Sequence, residues 1–312
     1  MRKKLATNRY SRRKRRELSR KFKIFIGIII MLTIPTVGFL TYVFFTTPPI
    51  IELDEEPNVN KEIWMTFLPQ DLLHFRMINF IEINKTSEGY KLFNDKQILQ
   101  FVNPSYNIFT DEVEWICDIE LSESKIVNIL SLNNESIQRF ENALLTSKLS
   151  YDNYLNVNIW SVLSKYETQV FRSSVAILNN CLLYSEDSDI TIKKVLSAFL
   201  SNTGNFYDDR DLRIAYYLAV GKKKTLSLSL TKFVSIKGLN ISWQLSALQY
   251  DDSKLIKTDV YILESREYAV KKFYEIKRLF FINANYAWIT DKFIVAKFYY
   301  PVSELKTIIM GM

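Results

Sequence analysis

Residues 113–121 read Val-Glu-Trp-Ile-Cys-Asp-Ile-Glu-Leu. Val113, Trp115, Cys117, Ile119 and Leu121 take one side of an extended chain, and Glu114, Asp118 and Glu120 the other. Successive side chains alternate across a strand, so this period of two predicts a strand with one apolar and one polar face.

The neighbouring segments extend that pattern. Ser122 to Leu132, with Ile126, Val127, Ile129 and Leu130 apolar, reads as a short helix. Asn179-Asn180 lies between two apolar runs, 175–178 and 181–185, and tolerates the positive φ of a type I′ hairpin turn. Asp189 is placed to cap a helix with the stripe Ile192, Val195, Leu196, Phe199 and Leu200, closed by Asn202 and Gly204. Leu212, Ile214, Tyr216, Leu218 and Val220 alternate as a strand, as do Leu226, Leu228 and Leu230. Residues 241–250 and 255–263 form an antiparallel pair joined near Asp251-Asp252. Ser265 opens a helix whose apolar positions Ala269, Phe273, Ile276 and Phe280 recur at steps of four, three and four. Residues 286–290 and 293–299 make a last hairpin around Asp291-Lys292, and Pro301 begins a short terminal helix. Strand pairs followed by helices, without a βαβ rhythm, predict an α+β domain with a mixed, mainly antiparallel sheet.

Charge divides the chain. The 312 residues carry 41 Lys and Arg against 34 Asp and Glu, a net of +7. Residues 1–23 hold 12 basic residues and one acidic, so the other 289 hold 29 basic and 33 acidic. The basic excess is therefore confined to one tail, which includes Arg12, Arg13, Lys14, Arg15 and Arg16. Ile24 to Phe45 follows with 22 residues and no charge. At 1.5 Å per residue that helix reaches about 33 Å, the thickness of a bilayer's hydrocarbon core. The run is too long for a signal peptide and no Ala-x-Ala site follows it, which predicts a retained anchor. Positive charge before the span and Glu52, Asp54, Glu55 and Glu56 after it place the N-terminus in the cytoplasm and residues 46–312 outside the plasma membrane. Residues 46–60, with three prolines and four acids, read as an extended stalk, and 61–312 as one domain that can divide into two lobes. The tail's partner is the bilayer, whose headgroups account for it without nucleic acid.

Catalytic and metal chemistry find little material. There is one histidine, His74, in the apolar run Leu72-Leu73-His74-Phe75, which reads as helical or turn-like. The two cysteines, Cys117 and Cys181, leave two alternatives: a disulfide outside the membrane, or two small buried hydrophobes. No catalytic residue, cofactor site or metal site is expected. The acidic groups Glu186-Asp187-Asp189, Asp208-Asp209-Asp211 and Asp251-Asp252 lack the glycine of a calcium loop and read as turns and caps. Asn84, Asn134 and Asn240 match the glycosylation sequon.

Phe67-Leu68-Pro69-Gln70-Asp71 precedes a strand from Phe75 to Ile81, and the helices ITIKKVLSAFL and SREYAVKKFYEIKRLFF come later, before a closing hairpin. In this order the chain resembles a loose family of membrane-anchored extracytoplasmic proteins from prokaryotes with no known function. The resemblance supplies no catalytic residues. The expected function is a single-pass binding or envelope-associated module, more readily non-enzymatic, with envelope or surface proteins as partners. The alternatives are a membrane-tethered hydrolase using carboxylates and a subunit of an envelope complex.

Overall fold

The structure is a computed structural model that describes residues 48–53, 57, 59–69, 71–93, 96–121, 125–186, 189–201, 208–221, 223–233, 239–251 and 253–312. The chain divides into Met1–Pro49 and Ile50–Met312. The basic tail, with Arg12 to Arg16, and the apolar run 24–45 lie outside the described residues.

In the second unit a 3-10 turn, Ile63–Phe67, leads into β1 (Leu72–Asn79). Two short helices, α1 (Phe80–Ile83) and α2 (Ser87–Phe93), and a small ribbon of β2 (Gln97–Leu99) and β3 (Ile108–Phe109) follow. A hairpin of β4 (Val113–Leu121) and β5 (Lys125–Leu132) precedes α3 (Asn134–Thr146). The chain continues through β6 (Tyr151–Tyr154), β7 (Val157–Tyr166), β8 (Gln169–Leu178) and β9 (Cys181–Ser185), then α4 (Asp189–Ser201) and α5 (Arg210–Val220). The last part is β10 (Ser227–Lys232), β11 (Ile241–Asp251), β12 (Lys254–Leu263), α6 (Arg266–Phe280), β13 (Tyr286–Thr290), β14 (Phe293–Pro301) and α7 (Leu305–Met310). The α+β class with a mainly antiparallel sheet is thus present. Among the described residues no helix is long and apolar enough to cross a membrane.

Twelve strands form one sheet in the order β13-β14-β12-β11-β10-β1-β4-β5-β9-β8-β7-β6. Every neighbouring pair is antiparallel. The order contains a repeat. β1, β4 and β5, then α3, then β8 and β9 have the same connectivity as β10, β11 and β12, then α6, then β13 and β14. In each set the last strand pairs with the third. The sets meet where β1 pairs antiparallel with β10, as a two-fold axis normal to the sheet requires. β6, β7 and the segment from α1 to Glu112 are additions to the first set.

Helices cover both faces. On the back face Phe75, Ile119, Val127, Leu230, Leu245 and Val260 pack beneath the 3-10 turn, α4 and α5. On the front face α3 lies over one end, where Ile137, Phe140 and Leu144 meet Leu130, Leu182 and Val175. α6 lies over the other end, where Phe273 and Ile276 meet Tyr261 and Ile294. A smaller cluster of Ile83, Leu248, Leu255, Leu305 and Ile309 closes a third side. Ser265 caps α6 by accepting from Tyr268 N at 3.2 Å, as its position suggests.

Four expectations change. Residues 125–132 are strand β5, not helix, because both faces of β5 are covered and its apolar run has no strict period of two. Residues 210–220 are helix α5, not strand: Asp209 caps it, and Leu212, Ala215, Tyr216 and Ala219 repeat at three and four. Val113 joins the front-face core, since an irregularity between Val113 and Trp115 breaks the alternation. The folded unit begins at Ile50 rather than Lys61: Ile51 N donates to Ile289 O at 2.8 Å, Glu52 pairs with Arg266 at 2.6 Å, and Val59 is in the core. The Asn179-Asn180 turn forms, with positive φ at Asn179 only. Asn202 and Gly204, expected to close α4, lie outside the described residues.

The disulfide is also corrected. Cys117 and Cys181 are free and buried. Cys117 is on β4 and Cys181 on β9, with β5 between them. Two strand spacings are about 9.5 Å, beyond the roughly 7 Å that a bridge spans between Cα atoms. Burial holds the Cys117 thiol well above its ordinary pKa and pushes Cys181 up to about 12, so both are inert in the fold. Unfolding without reductant in the presence of an iodoacetamide label should modify both thiols. A band that takes no label until reductant is added would show a bridge.

Candidate functional site

The middle of the front face is left open, and its floor is polar. Strand register sets residues of adjacent strands directly opposite one another on the same face. From β12 to β9 one such row reads Asp259, Ser246, Ser229, Arg76, Asp118, Asn128 and Tyr184. The next row reads Tyr261, Gln244, Thr231, His74, Glu120 and Ile126. In the opposite direction the row through Ile78, Ile116, Leu130 and Leu182 is apolar. The polar groups therefore form a band rather than a scatter.

The centre of the band is a carboxylate clamp. Arg76 donates to Asp118 Oδ2 from Nε at 3.1 Å and from Nη2 at 2.6 Å, while Asn128 Nδ2 donates to Asp118 Oδ1 at 2.7 Å. Neighbouring strands hold all three groups, so their geometry comes from the sheet and not from flexible loops. Both partners of the ion pair are half-buried, with side-chain exposures of 32 % for Arg76 and 26 % for Asp118. His74 Nδ1 lies 2.9 Å from Thr231 Oγ1. Burial lowers the His74 pKa below its ordinary value, Arg76 adds to the effect, and Glu120 and Asp118 only partly oppose it. Neutral imidazole is therefore the form at pH 7.

His74, Arg76, Asp118, Glu120, Asn128 and Glu186 line a cavity of about 540 Å³. Glu186 closes the side near Tyr184, whose hydroxyl donates to it at 3.3 Å. At the opposite end of the band Asp259 is buried, its Oδ2 3.4 Å from Lys257 Nζ, and its Oδ1 has no hydrogen-bond partner among the described residues. Burial raises the Asp259 pKa, against the pull of Lys257 and Ser246. Within the cavity the charges and amide held on β1, β4 and β5, with Glu186 beyond them, can orient a polar ligand by hydrogen bonds, whereas Ser229, Ser246 and Asp259 of the first row are buried.

Two other cavities hold carboxylates that are already paired. One of about 470 Å³ contains Asp152 and Asp189, both 2.6 Å from Lys193 Nζ. One of about 590 Å³ contains Glu62, which accepts from Tyr216 at 2.7 Å and from Trp64 at 2.6 Å, and Glu82, which pairs with Lys224 at 3.2 Å.

The residues singled out in the sequence fall elsewhere, apart from His74 and Glu186. Asp209 caps α5, Asp211 pairs with Lys292 at 2.6 Å, and Asp251 pairs with Lys223 at 3.0 Å. Asp187 and Asp252 lie outside the described residues. Asn84, Asn134 and Asn240 are exposed, on separate elements. Thr86 and Ser136 of the first two sequons are buried and bonded, to Ile83 O and Glu112 Oε1. His74 is on β1 rather than a helix. The alternation of His74 and Arg76 between Phe75 and Met77 is the signal that matches Asp118 and Glu120 on β4.

No protein family matches the chain, and no curated protein is similar to it. Among solved structures, crystal form I of TP0453 is similar with a TM-score of 0.43 and 11% identity, covering 82% of this chain and 99% of that one. Crystal form III of TP0453 gives 0.41 and 10%, over 82% and 99%.

Two measurements follow from the titrating groups. The unfolded chain protonates His74 near pH 6.5, whereas the fold resists it, so its contribution is full above that pH and lost as pH falls below it. Melting temperature should drop between pH 7 and 5, and less steeply in His74→Gln; equal slopes would contradict the burial effect. The only histidine makes the assignment clean. Asp259 has the opposite sign: ionised, it costs stability above its raised pKa, and the cost disappears in acid. Asp259→Asn should melt higher than the parent at pH 7 and no higher near pH 3, since Lys257 keeps 22 % of its side chain in water.

Proposed function

We propose that this chain is a single-pass membrane protein whose extracytoplasmic α+β unit is a binding module, with the open front-face basin as its ligand site. The observation that carries the reading is the polar band itself. Beneath α3 and α6 the front face is largely apolar, while in the open cavity His74, Arg76, Asp118, Glu120 and Asn128 present ordered polar groups on three adjacent strands. A floor that was only solvated would not need the Arg76–Asp118–Asn128 clamp, which orders three side chains at an entropic cost. The uncharged run 24–45 after a strongly basic tail supports the anchor and its orientation. The chain order that resembles prokaryotic extracytoplasmic proteins supports the same location.

A membrane-tethered hydrolase is the second reading. Asp118 and Glu120, two apart on one face of β4 beside His74, favour it. Asp118 is committed to Arg76 and Asn128, however, which suits fixing a ligand better than exchanging protons with one.

Topology is tested with cysteines in intact cells. A membrane-impermeant maleimide should label a cysteine at exposed Tyr166 and spare one at Ser11; the reverse labelling overturns the orientation. Binding is tested by hydrogen exchange. Amides of β1 and β4 should exchange more slowly in native membranes than in purified nanodiscs, and Asp118→Ala should remove the difference. Equal exchange in both settings would sink the binding reading.

A further inference from the structure

We infer that the end of the sheet at β13 docks on the anionic headgroups of the bilayer that anchors the chain. The inference rests on the anchor in the reading above and names the surface through which the folded unit meets that bilayer.

The tether limits which surface can serve. The uncharged run ends at Phe45, and Ile50 already bridges Ile289 of β13, with Ile51 N donating to Ile289 O at 2.8 Å. Only residues 46–49 lie between. An anchor ending at Phe45 therefore keeps the β13 edge within about 18 Å of the bilayer, the reach of the intervening chain when fully extended.

That edge carries cations that no carboxylate matches. Tyr286 of β13 is directly opposite Lys297 of β14, and Tyr299 follows on the same face. The rings of Tyr286 and Tyr299 are 6.0 Å apart, Lys254 Nζ is 4.4 Å from the Tyr299 ring, and Lys297 Nζ is 5.4 Å from that of Trp288. Tyr286 is 61 % exposed. The helix that leads into β13 continues the edge: Lys277 and Arg278 are in the last turn of α6, and Ile282 just beyond it is 67 % exposed. Lys254, Lys277, Arg278 and Lys297 make no ion pair with a described residue, whereas Arg266 and Lys272, earlier in α6, are paired with Glu52 and Glu275. Residues 24–312 hold 33 acids against 29 bases, so the positive edge is local and not a property of the whole unit.

An anionic bilayer surface complements both parts of this edge. Tyrosine and tryptophan rings, apolar in body and polar at the tip, settle at headgroup depth. Lysine and arginine beside them are attracted to the headgroup phosphates. A second copy of the chain would instead bring the same unmatched cations to the contact.

The test uses the full chain in nanodiscs of phosphatidylcholine alone, or of equal parts phosphatidylcholine and phosphatidylglycerol. Cys117 and Cys181 are buried, so an environment-sensitive maleimide dye can be directed to Asn283→Cys, on the exposed turn before β13, and to Tyr166→Cys, toward the other end of the sheet. With phosphatidylglycerol the emission at 283 should shift to the blue and that at 166 should not, and salt should reverse the shift. Lys254→Gln with Lys297→Gln should lower the ratio of docked to undocked chains about thirtyfold, roughly fivefold for each charge. Lys277→Gln with Arg278→Gln, on a helical turn outside the sheet, should act in the same direction. No shift at 283, in a chain that carbonate does not extract from native membranes, overturns the inference and leaves the anchor standing. A chain that carbonate extracts overturns the anchor and the inference together. An equal shift in both lipids, unchanged in the lysine variants, overturns the part of the headgroup charge. A shift confined to discs that hold two copies assigns the edge to a second copy and overturns the inference as well.

Discussion

The antiparallel pairing of β1 with β10 is the contact on which the rest of the structure depends. It joins residues 72–79 to 227–232 across about half the sequence, so loop closure must precede any gain from it. The compensation is on the back face. Phe75 opposite Leu230 and Met77 opposite Leu228 fuse the apolar faces of two sets of strands into one core, and α5 seals it. At about 25 cal/mol per Å², fully burying such side chains contributes roughly 1.5–3 kcal/mol each. The same pairs, read one residue along, set His74 beside Thr231 and Arg76 beside Ser229 on the front. One seam therefore provides the cohesion of the sheet and the floor of the basin, and the period of two keeps those roles apart.

The basin is open for a topological reason. α3 carries the chain from β5 to the outer strands that end in β9, and α6 carries it from β12 to β13 and β14. Each crossing helix lies over the strands it must reach, so both sit outward from the seam. The two-fold relation of the repeat puts both crossings on one face. The front of the central strands β10, β1 and β4 is therefore left to the polar band, while α5 packs on the back against β11 and β12. Polar residues belong on the uncrossed face, because an apolar floor there would be an exposed hydrophobic patch.

Much of the sheet was legible, and the reasons for failure are local. The β11–β12 pair, the last hairpin and α6 carry clean periods, and each formed near its expected bounds. β5 and α5 did not carry one. Val127 and Ile129 face the back while Leu130 and Leu132 face the front, so burial on both sides erased the alternation. In α5 the large residues alternate by accident, and the helical repeat shows only once Ala215 and Ala219 count as core. The site itself was half visible. Asp118 and Glu120 stood out as the polar side of a strand, but nothing local says which strand lies opposite. Arg76 is 42 residues from Asp118 and Thr231 is 157 from His74, distances that only the sheet order resolves.

The repeat also explains why the band is uneven. A two-fold axis near Arg76 and Ser229 makes the two directions along the row equivalent in backbone only. One direction carries Arg76, Asp118 and Asn128, tied together and half exposed. The other carries Ser229, Ser246 and Asp259, all at 5 % exposure or less. Charge has accumulated where water still reaches, and hydroxyls where it does not, which is the order that desolvation favours. Asp259 breaks that order. It keeps a carboxyl group in the dry half at the expense of a raised pKa and an unpaired oxygen, with Lys257 at 3.4 Å as partial compensation. Stability alone would place a serine or asparagine there. Lys257 keeps part of its side chain in water whereas Asp259 does not, so the carboxylate depends on the cation more than the cation depends on it, and removing Lys257 would cost more than removing Asp259.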